Sequence, residues 1–471
     1  MGSHIEAQGN DVYSSKFDDD GHSKRTGTWV TASAHIVTAV IGSGVLSLAW
    51  AVAQLGWIAG PSILLVFSVI TLFTSFLLTD CYRYPDPVYG TRNHTYKAMV
   101  KNILGGIQYQ FCALAQYTNL VGTGIGYTIT ASISMVAIKR SNCFHKYGHQ
   151  VECQVSNGPY MVLFAVTQIL ISQIPDFHEL SALSIIAAVM SFGYSSIAIG
   201  LSIAKIAGEN HGMAKTSLTG VIVGEDVTSQ EKLWNSFQAI GNIAFAYCFS
   251  QVIVEIQNTL KSSPPENGAM KKATTAACSI TTMFYILCGL LGYSAFGNKA
   301  PGNFFTGFGF YEPYWLVDIG NAFVVVHLVG AYQVFTQPVF QLVESWAGER
   351  WPQSKFTTKE YRVGIPMVGT YRFNGFRMIW RTAYVIFTTV LATMFPFFNG
   401  VVGLLGAFSF WPLTVHFPIE LYLVRTKVPK FSLLWIGVKL LSAFCFIVTL
   451  VAAVGSIIGI VTDLKTYHPF K

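Results

Sequence analysis

An all-α integral membrane fold is expected from this chain, on three observations. Hydrophobic residues make up 52% of it and charged ones only 11%, with a mean hydropathy of +0.46. A soluble domain carries about a quarter charged residues. About eleven stretches are apolar enough to cross a bilayer, each needing about 20 residues. The turn-forming residues fall between these stretches rather than within them.

The first 28 residues are polar and acidic (KFDDDGHSKR at 16–25) and contain no apolar core of a secretory signal. They are expected to form a disordered cytoplasmic tail, leaving 29–471 as one transmembrane unit. The spans read, roughly, as 30–55, 58–82, 107–136, 159–175, 180–206, 232–259, 272–296, 314–342, 376–396, 399–424 and 432–462. Their separators are GW at 56–57, PDP at 85–87, SNGP at 156–159, IPDFHE at 174–179, SSPPENG at 262–268 and FFNG at 397–400.

Basic residues orient the spans. With the N-terminus inside, twenty of the thirty Lys and Arg face the cytoplasm and nine face outward, and Lys439 lies within the last span. That bias places the N-terminus in the cytoplasm and, with an odd span count, the C-terminus outside. The net charge of +7 is explained by those loops, and no Lys/Arg tract interleaved with aromatics points to nucleic acid. Of eight cysteines, five lie in apolar spans (Cys112, Cys248, Cys278, Cys288, Cys445) and Cys81 near a span end, where they read as small packing residues. Cys143 and Cys153 share one polar loop on the outer, oxidising side, where a disulfide is chemically permitted. No metal-ligand spacing occurs, and neither a metal nor an organic cofactor is expected. The chain also lacks a nucleophile elbow and a P-loop, so an enzyme is not expected.

Two interruptions carry the functional reading. The first is TAVIGSGVLSL (38–48), where Gly42 and Gly44 flank Ser43 at mid-span; the second is IAFAYCFSQV (243–252). Lipid does not tolerate unpaired backbone groups, so a break at that depth is lined by protein or by a polar ligand. Spans 1–5 (about 29–206) and 6–10 (about 232–424) pair as two five-helix units of opposite topology, with 432–462 as an extra helix. Interrupted spans in corresponding positions of two repeats point to a transporter's binding site. At the first break, Ile41, Gly42, Ser43, Gly44 and Val45 offer free N–H groups and positive dipole charge to a carboxylate. At the second, Phe245, Ala246 and Tyr247 unwind, and the carbonyl end near Asn242 to Ala244 suits an ammonium group. Together these describe an α-amino acid. Small glycines also permit close helix packing without any ligand.

Gln116, Asn119 and Thr123 recur at three- and four-residue spacing in span 3, on a face suited to substrate or to another helix. His35, about two turns before the first break, and His327, mid-way in span 8, are ionisable groups at membrane depth and candidates for relaying a proton. A neutral histidine bonded to a neighbouring helix explains either equally simply.

The segments RTGTWVTASAHIVTAVIGSGVLSLAWAVAQLGW (25–57), AIGNIAFAYCFSQVIVEIQNTL (239–260), HLVGAYQVFTQP (327–338) and FSFWPLTVHFPIELYL (408–423) strongly resemble the plant amino acid permeases of the amino acid/auxin permease family, within the amino acid–polyamine–organocation superfamily. The similarity runs from about residue 22 over nearly the whole chain. It implies eleven spans, a leucine-transporter-like 5+5 inverted repeat with helices 1 and 6 broken, plasma-membrane location, and import of L-amino acids with protons. It further implies that Cys143 and Cys153 match cysteines of relatives. One departure stands out. The family commonly has an acid where this chain has Asn242 and another where it has Asn258, and an amide can neither take up nor release a proton. A coupling-deficient carrier or an amino acid sensor is therefore an alternative expectation. An auxin carrier of the sister group, which would bind an indole carboxylate, is a further one.

Overall fold

The computed structural model describes residues 18, 20–21, 24–148, 151, 153–174, 181–208, 214–308, 313–365, 369–465 and 467. Most of the N-terminal tail and the turn expected at 175–179 lie outside the described residues. The rest is a bundle of helices: α1 (Trp29–Val40), α2 (Leu48–Asp80), α3 (Tyr96–Ile103), α4 (Gly106–Tyr147), α5 (Gly158–Ser172), α6 (Ser181–Ala207), α7 (Ser229–Ala246) and α8 (Ser250–Gln257). There follow α9 (Glu266–Phe296), α10 (Tyr314–Arg350), α11 (Lys355–Thr358), α12 (Gly375–Met394), α13 (Phe398–Ser409), α14 (Phe417–Thr426) and α15 (Leu433–Leu464). Among the described residues, eight helical segments are long and apolar enough to cross a membrane, and α1 and α5 are shorter apolar ones. Large side chains such as Val69, Leu170 and Leu440 are about two-thirds exposed on the outside of the bundle, as expected of a protein whose solvent there is lipid. The purely helical expectation needs one refinement: two small antiparallel hairpins, Arg83–Tyr84 with Thr91–Arg92 and Tyr361–Ile365 with Gly369–Phe373, stiffen loops.

Helix α2 begins as the continuation of the first span and folds back within itself. Gly56, at φ +79°, ψ −177°, makes the corner. A Cβ there would sit 2.2 Å from the Gly220 nitrogen, so glycine is required both by its φ and by the approach of the loop 214–228. That loop is held against the corner by backbone bonds from Trp57 and Ile58 to Ser217 and Leu218, and from Val221 to Ala53. Within it, the Asp226 carboxylate accepts the Ile222 N–H, which holds its pKa below the usual carboxylate range. Cys143 and Cys153 are joined in a disulfide at the same end of the bundle.

Charged groups concentrate at the opposite end. Glu266, at the start of α9, accepts from Arg83 (2.8 Å) and Arg92 (2.9 Å), and all three are nearly fully buried. Arg25 reaches Asp18 and Asp20 at 3.1 and 2.7 Å. Arg25 also donates to Asn258, and Gly27 exchanges backbone bonds with Thr259 and Lys261, because α1 and α8 end side by side and leave polar groups to satisfy. Asn93, within the Asn-His-Thr sequon, is buried with its amide on the Tyr82 carbonyl and is closed to glycosylation.

Arg381 of α12 is 1% exposed and gathers three helices. Its guanidinium donates to Glu344 of α10 (2.6 and 3.2 Å) and to the Ser172 and Ile174 carbonyls at the end of α5. Arg381→Ala would leave the Ser172 and Ile174 carbonyls without this donor and Glu344 with only the longer contact to Arg377 (3.8 Å), a loss of about 1–3 kcal/mol. Its melting temperature in detergent is expected to fall clearly below that of the parent protein, and an unchanged value would show that the cluster adds little. Non-reducing peptide mass spectrometry is expected to recover Cys143 and Cys153 in one linked peptide, whereas two free thiols would contradict the bridge.

Candidate functional site

Two helices stop and restart near the middle of the bundle, and they do so side by side. After α1, Ile41 and Gly42 leave helical geometry (φ −76°, ψ 77° and φ −115°, ψ −148°), and a short 3-10 turn, Ser43–Ser47, leads into α2. The first N–H groups of that turn have no intrahelical partner. Between α7 and α8 the chain unwinds over Tyr247–Phe249. The closest approach is at Gly44, where a Cβ would lie 3.0 Å from the Ala246 Cα and 3.3 Å from the Phe245 ring. A side chain at Gly44 would require its neighbours in the second break to give by a few tenths of an ångström.

A cavity of about 30 Å3 lies between the breaks, with room for roughly two waters. Gly42, Ser43, Gly44, Phe245 and Ala246 line it from the breaks, and Asn119, Thr123 and Tyr127 line it from α4. The hydroxyls of Ser43 and Thr123 are buried there without a hydrogen-bond partner, a costly state unless a ligand supplies one. Asn119 accepts the Ser409 hydroxyl at 2.7 Å through its amide oxygen. No lining side chain among the described residues carries a formal charge. A wider apolar depression beside Trp29 and Lys271 is an open surface feature away from both breaks.

The carbonyls released by the breaks are largely taken up by protein. Tyr194 of α6 donates to the Ile41 and Gly42 oxygens (3.1 and 2.9 Å), and Tyr285 of α9 to those of Val40 and Ala246 (2.6 and 3.0 Å). The Tyr247 N–H closes on Ile243 and Ala244, so the carbonyl end expected to meet an ammonium is partly satisfied already. Each oxygen keeps a second lone pair for a further donor.

Of the residues singled out in the sequence, Gly42, Ser43, Gly44, Asn119, Thr123, Phe245 and Ala246 come together at the cavity. The others do not line it. Ile41 and Val45 are packed in the core, and Gln116 is half-buried outside the lining. Tyr247 turns toward α9, its hydroxyl 3.3 Å from Thr282. Asn242 is fully buried but faces α13, with its amide nitrogen 3.3 Å from Asn399 and its oxygen unpartnered beside Gly403. His327 is buried close to the first break: its Nδ1 meets the Ala187 carbonyl at 2.8 Å, and its Nε2 has no partner and lies 3.8 Å from a Cβ built on Gly42. A carbonyl only accepts, so Nδ1 carries the proton and Nε2 is the free base of a neutral ring. His35, by contrast, is exposed on α1 and joins neither break.

Sequence reasoning missed Ala39, Val40, Cys248, Phe249 and Phe335 as lining residues, whereas Tyr127 belongs to the polar groups of span 3 expected to line a cavity or bond another helix. Tyr127 continues the Asn119–Thr123 face by one turn and was legible there. Phe335 comes from α10, where no local pattern marks it.

This is a multi-pass membrane protein with a small cavity of mixed polar and apolar lining at paired helix breaks. The family model for transmembrane amino acid transporter proteins matches residues 25–462, and the chain belongs to that family. It is 62% identical to amino acid permease 6 of Arabidopsis thaliana over 97% of this chain and 95% of the relative. Amino acid permease 1 of the same plant is 58% identical over 99% and 97%, and amino acid permease 8 is 59% identical over 96% and 95%.

Proposed function

We propose that the chain is a plasma-membrane symporter that imports neutral L-amino acids with protons by alternating access. The observation that carries this reading is the cavity between two helix breaks, lined by the unpartnered hydroxyls of Ser43 and Thr123. The substrate carboxylate takes the N–H groups of Ser43 and Gly44 at the positive end of the turn. The ammonium meets the remaining lone pairs at the end of α7. The side chain points toward Phe249, Phe335 and Cys248, a neutral lining that would leave a charged side chain without a counter-ion. At about 30 Å3 the cavity is contracted, and substrate entry widens it.

The proposal includes eleven spans in a 5+5 inverted arrangement, with α1 and α8 as the inner parts of the two broken helices and the start of α2 and α7 as their outer parts. The N-terminus is cytoplasmic and the C-terminus extracellular, supported by the basic bias of one set of loops and by the disulfide at the other end of the bundle. Proton transfer is assigned first to His327, whose free Nε2 faces the first break. His35 remains a weaker candidate because it faces away from the cavity. Asn242 supports a second reading, a coupling-deficient carrier or sensor, since a non-titrating amide stands beside the second break.

Gly44→Val places a branched side chain against Ala246 and Phe245 and fills the cavity. Uptake of labelled neutral amino acids is expected to be lost at normal surface abundance, and unchanged uptake would remove the carboxylate assignment. Asn242→Asp supplies a carboxyl group of nearly the same shape that can bind a proton. Uptake and inward current are expected to rise more steeply as external pH falls, while Asn258→Asp, beside Arg25, Tyr82 and His94 at the cytoplasmic end, has the smaller effect. An unaltered pH dependence in Asn242→Asp would leave coupling to the histidines.

A further inference from the structure

Tyr285 touches both interrupted helices through one hydroxyl. Its Oη lies 2.6 Å from the carbonyl oxygen of Val40, at the end of α1, and 3.0 Å from that of Ala246, at the end of α7. The side chain is fully buried, and its ring meets that of Tyr247 edge-on with centroids 5.2 Å apart. Val40 and Ala246 both line the cavity. Among the described residues no hydrogen bond runs directly from the first break (38–48) to the second (243–252). Tyr194, the other tyrosine at this depth, bonds only to the first break, at Ile41 and Gly42.

We propose that Tyr285 is a positioning residue that fixes the spacing between the two halves of the amino acid site. The inference rests on the transport reading above. Contact between the breaks is otherwise van der Waals packing of Gly44 on Ala246, which constrains distance but not the rotation of either segment. A hydroxyl shared by two carbonyls constrains both. It holds the end of α1 against the end of α7, and so sets how far the N–H groups at Ser43 and Gly44 stand from the oxygens at the end of α7. Those two groups receive opposite ends of one small zwitterion whose carboxylate and ammonium are a fixed distance apart. An error in their spacing therefore weakens binding even when each group is intact. The hydroxyl has one proton for two acceptors, and because the Val40 carbonyl also accepts the Gly42 N–H at 2.8 Å, that proton is free to serve Ala246.

The test is Tyr285→Phe, which removes the hydroxyl and keeps the ring on Tyr247. Tyr332→Phe is the control: Tyr332 is equally buried, but its hydroxyl bonds Thr388 and lies outside the cavity lining. Uptake of a labelled neutral amino acid is measured against concentration and normalised to surface protein. The expected result for Tyr285→Phe is a rise in KM of roughly tenfold with Vmax within about twofold, the loss of one hydrogen bond read through binding. Tyr332→Phe is expected to leave KM within about twofold of the parent. A structural role alone would lower surface protein and Vmax at constant KM, and that pattern would overturn the proposal. As a second readout, labelling of the Cys248 thiol by a small methanethiosulfonate in purified, monodisperse protein is expected to quicken in Tyr285→Phe, because the break that carries it is released. Equal labelling rates, or a variant that gives no monodisperse protein, would assign the hydroxyl to folding and equally overturn it. If the parent protein itself takes up no amino acid, the transport reading fails; if it does and KM is unmoved in the variant, only the role of Tyr285 fails.

Discussion

Everything distinctive in this structure follows from backbone polar groups that cannot be left bare within a bilayer. A continuous helix satisfies them internally, and a broken one exposes N–H groups on one side of the gap and carbonyls on the other. Here the carbonyl side is met by protein: Tyr194 covers Ile41 and Gly42, and Tyr285 covers Val40 and Ala246. The N–H side at Ser43 and Gly44 has no such cover, and the nearby hydroxyls of Ser43 and Thr123 are also unpartnered. Satisfaction is thus asymmetric, and among the described residues the hydroxyls of Ser43 and Thr123 are what remains to be met at the cavity.

The same constraint shapes the two ends of the bundle. On the proposed orientation, α1 and α8 form the inner ends of the broken spans and are short, twelve and eight residues. Short helices hold few internal bonds, so their placement depends on what surrounds them. At the cytoplasmic end that surrounding is polar: Gly27 pairs with Thr259 and Lys261, and Asn258 accepts from Arg25 and Tyr82. At the outer end the backbone itself serves, with the loop 214–228 laid on the Gly56 corner and Lys232 donating to Gln54 and Thr219. The contacts at the first end are backbone and side-chain hydrogen bonds of a kind water can replace, whereas at the other end Gly56 and Gly220 leave no slack between the loop and the corner.

The broad plan was legible because hydropathy records the need to match lipid, and the breaks because glycine and unwound polar residues stand out in an apolar run. Asn119 and Thr123 were legible as a helical face. The residues that failed are those whose direction depends on tertiary packing. Tyr247 lies in the second break, as expected, yet its side chain turns to Thr282. Asn242 sits one turn before that break but on the opposite face, against Asn399 and Gly403 of α13. His35 and His327 look alike in sequence, each a lone histidine in an apolar span, and only the packing of α6 and α10 separates them. The partners of Asp20 and Arg25 are equally invisible in the sequence: Arg92, Glu266 and Asn258 are brought beside them from far along the chain.

Coupling a proton to a substrate requires a group whose charge changes and whose partners differ between the states of the cycle. Asn242 cannot be that group in this chain. Its amide is neutral throughout, and its orphaned oxygen shows a site shaped for one more hydrogen bond than the amide receives. His327 meets the requirement differently. Its Nδ1 is committed to the Ala187 carbonyl, so a proton can arrive only at Nε2, on the side that faces Gly42. A cation formed there would lie next to the gap that receives the substrate carboxylate, and opposite charges at that distance favour each other's binding. By linkage the effect is reciprocal: the substrate's carboxylate raises the affinity for the proton as much as the proton raises affinity for the substrate. A histidine at the carboxylate end therefore couples through attraction, whereas a carboxyl group at 242 would couple through the ammonium end. The first route needs no acid in the second break, which is why the proton is assigned first to His327.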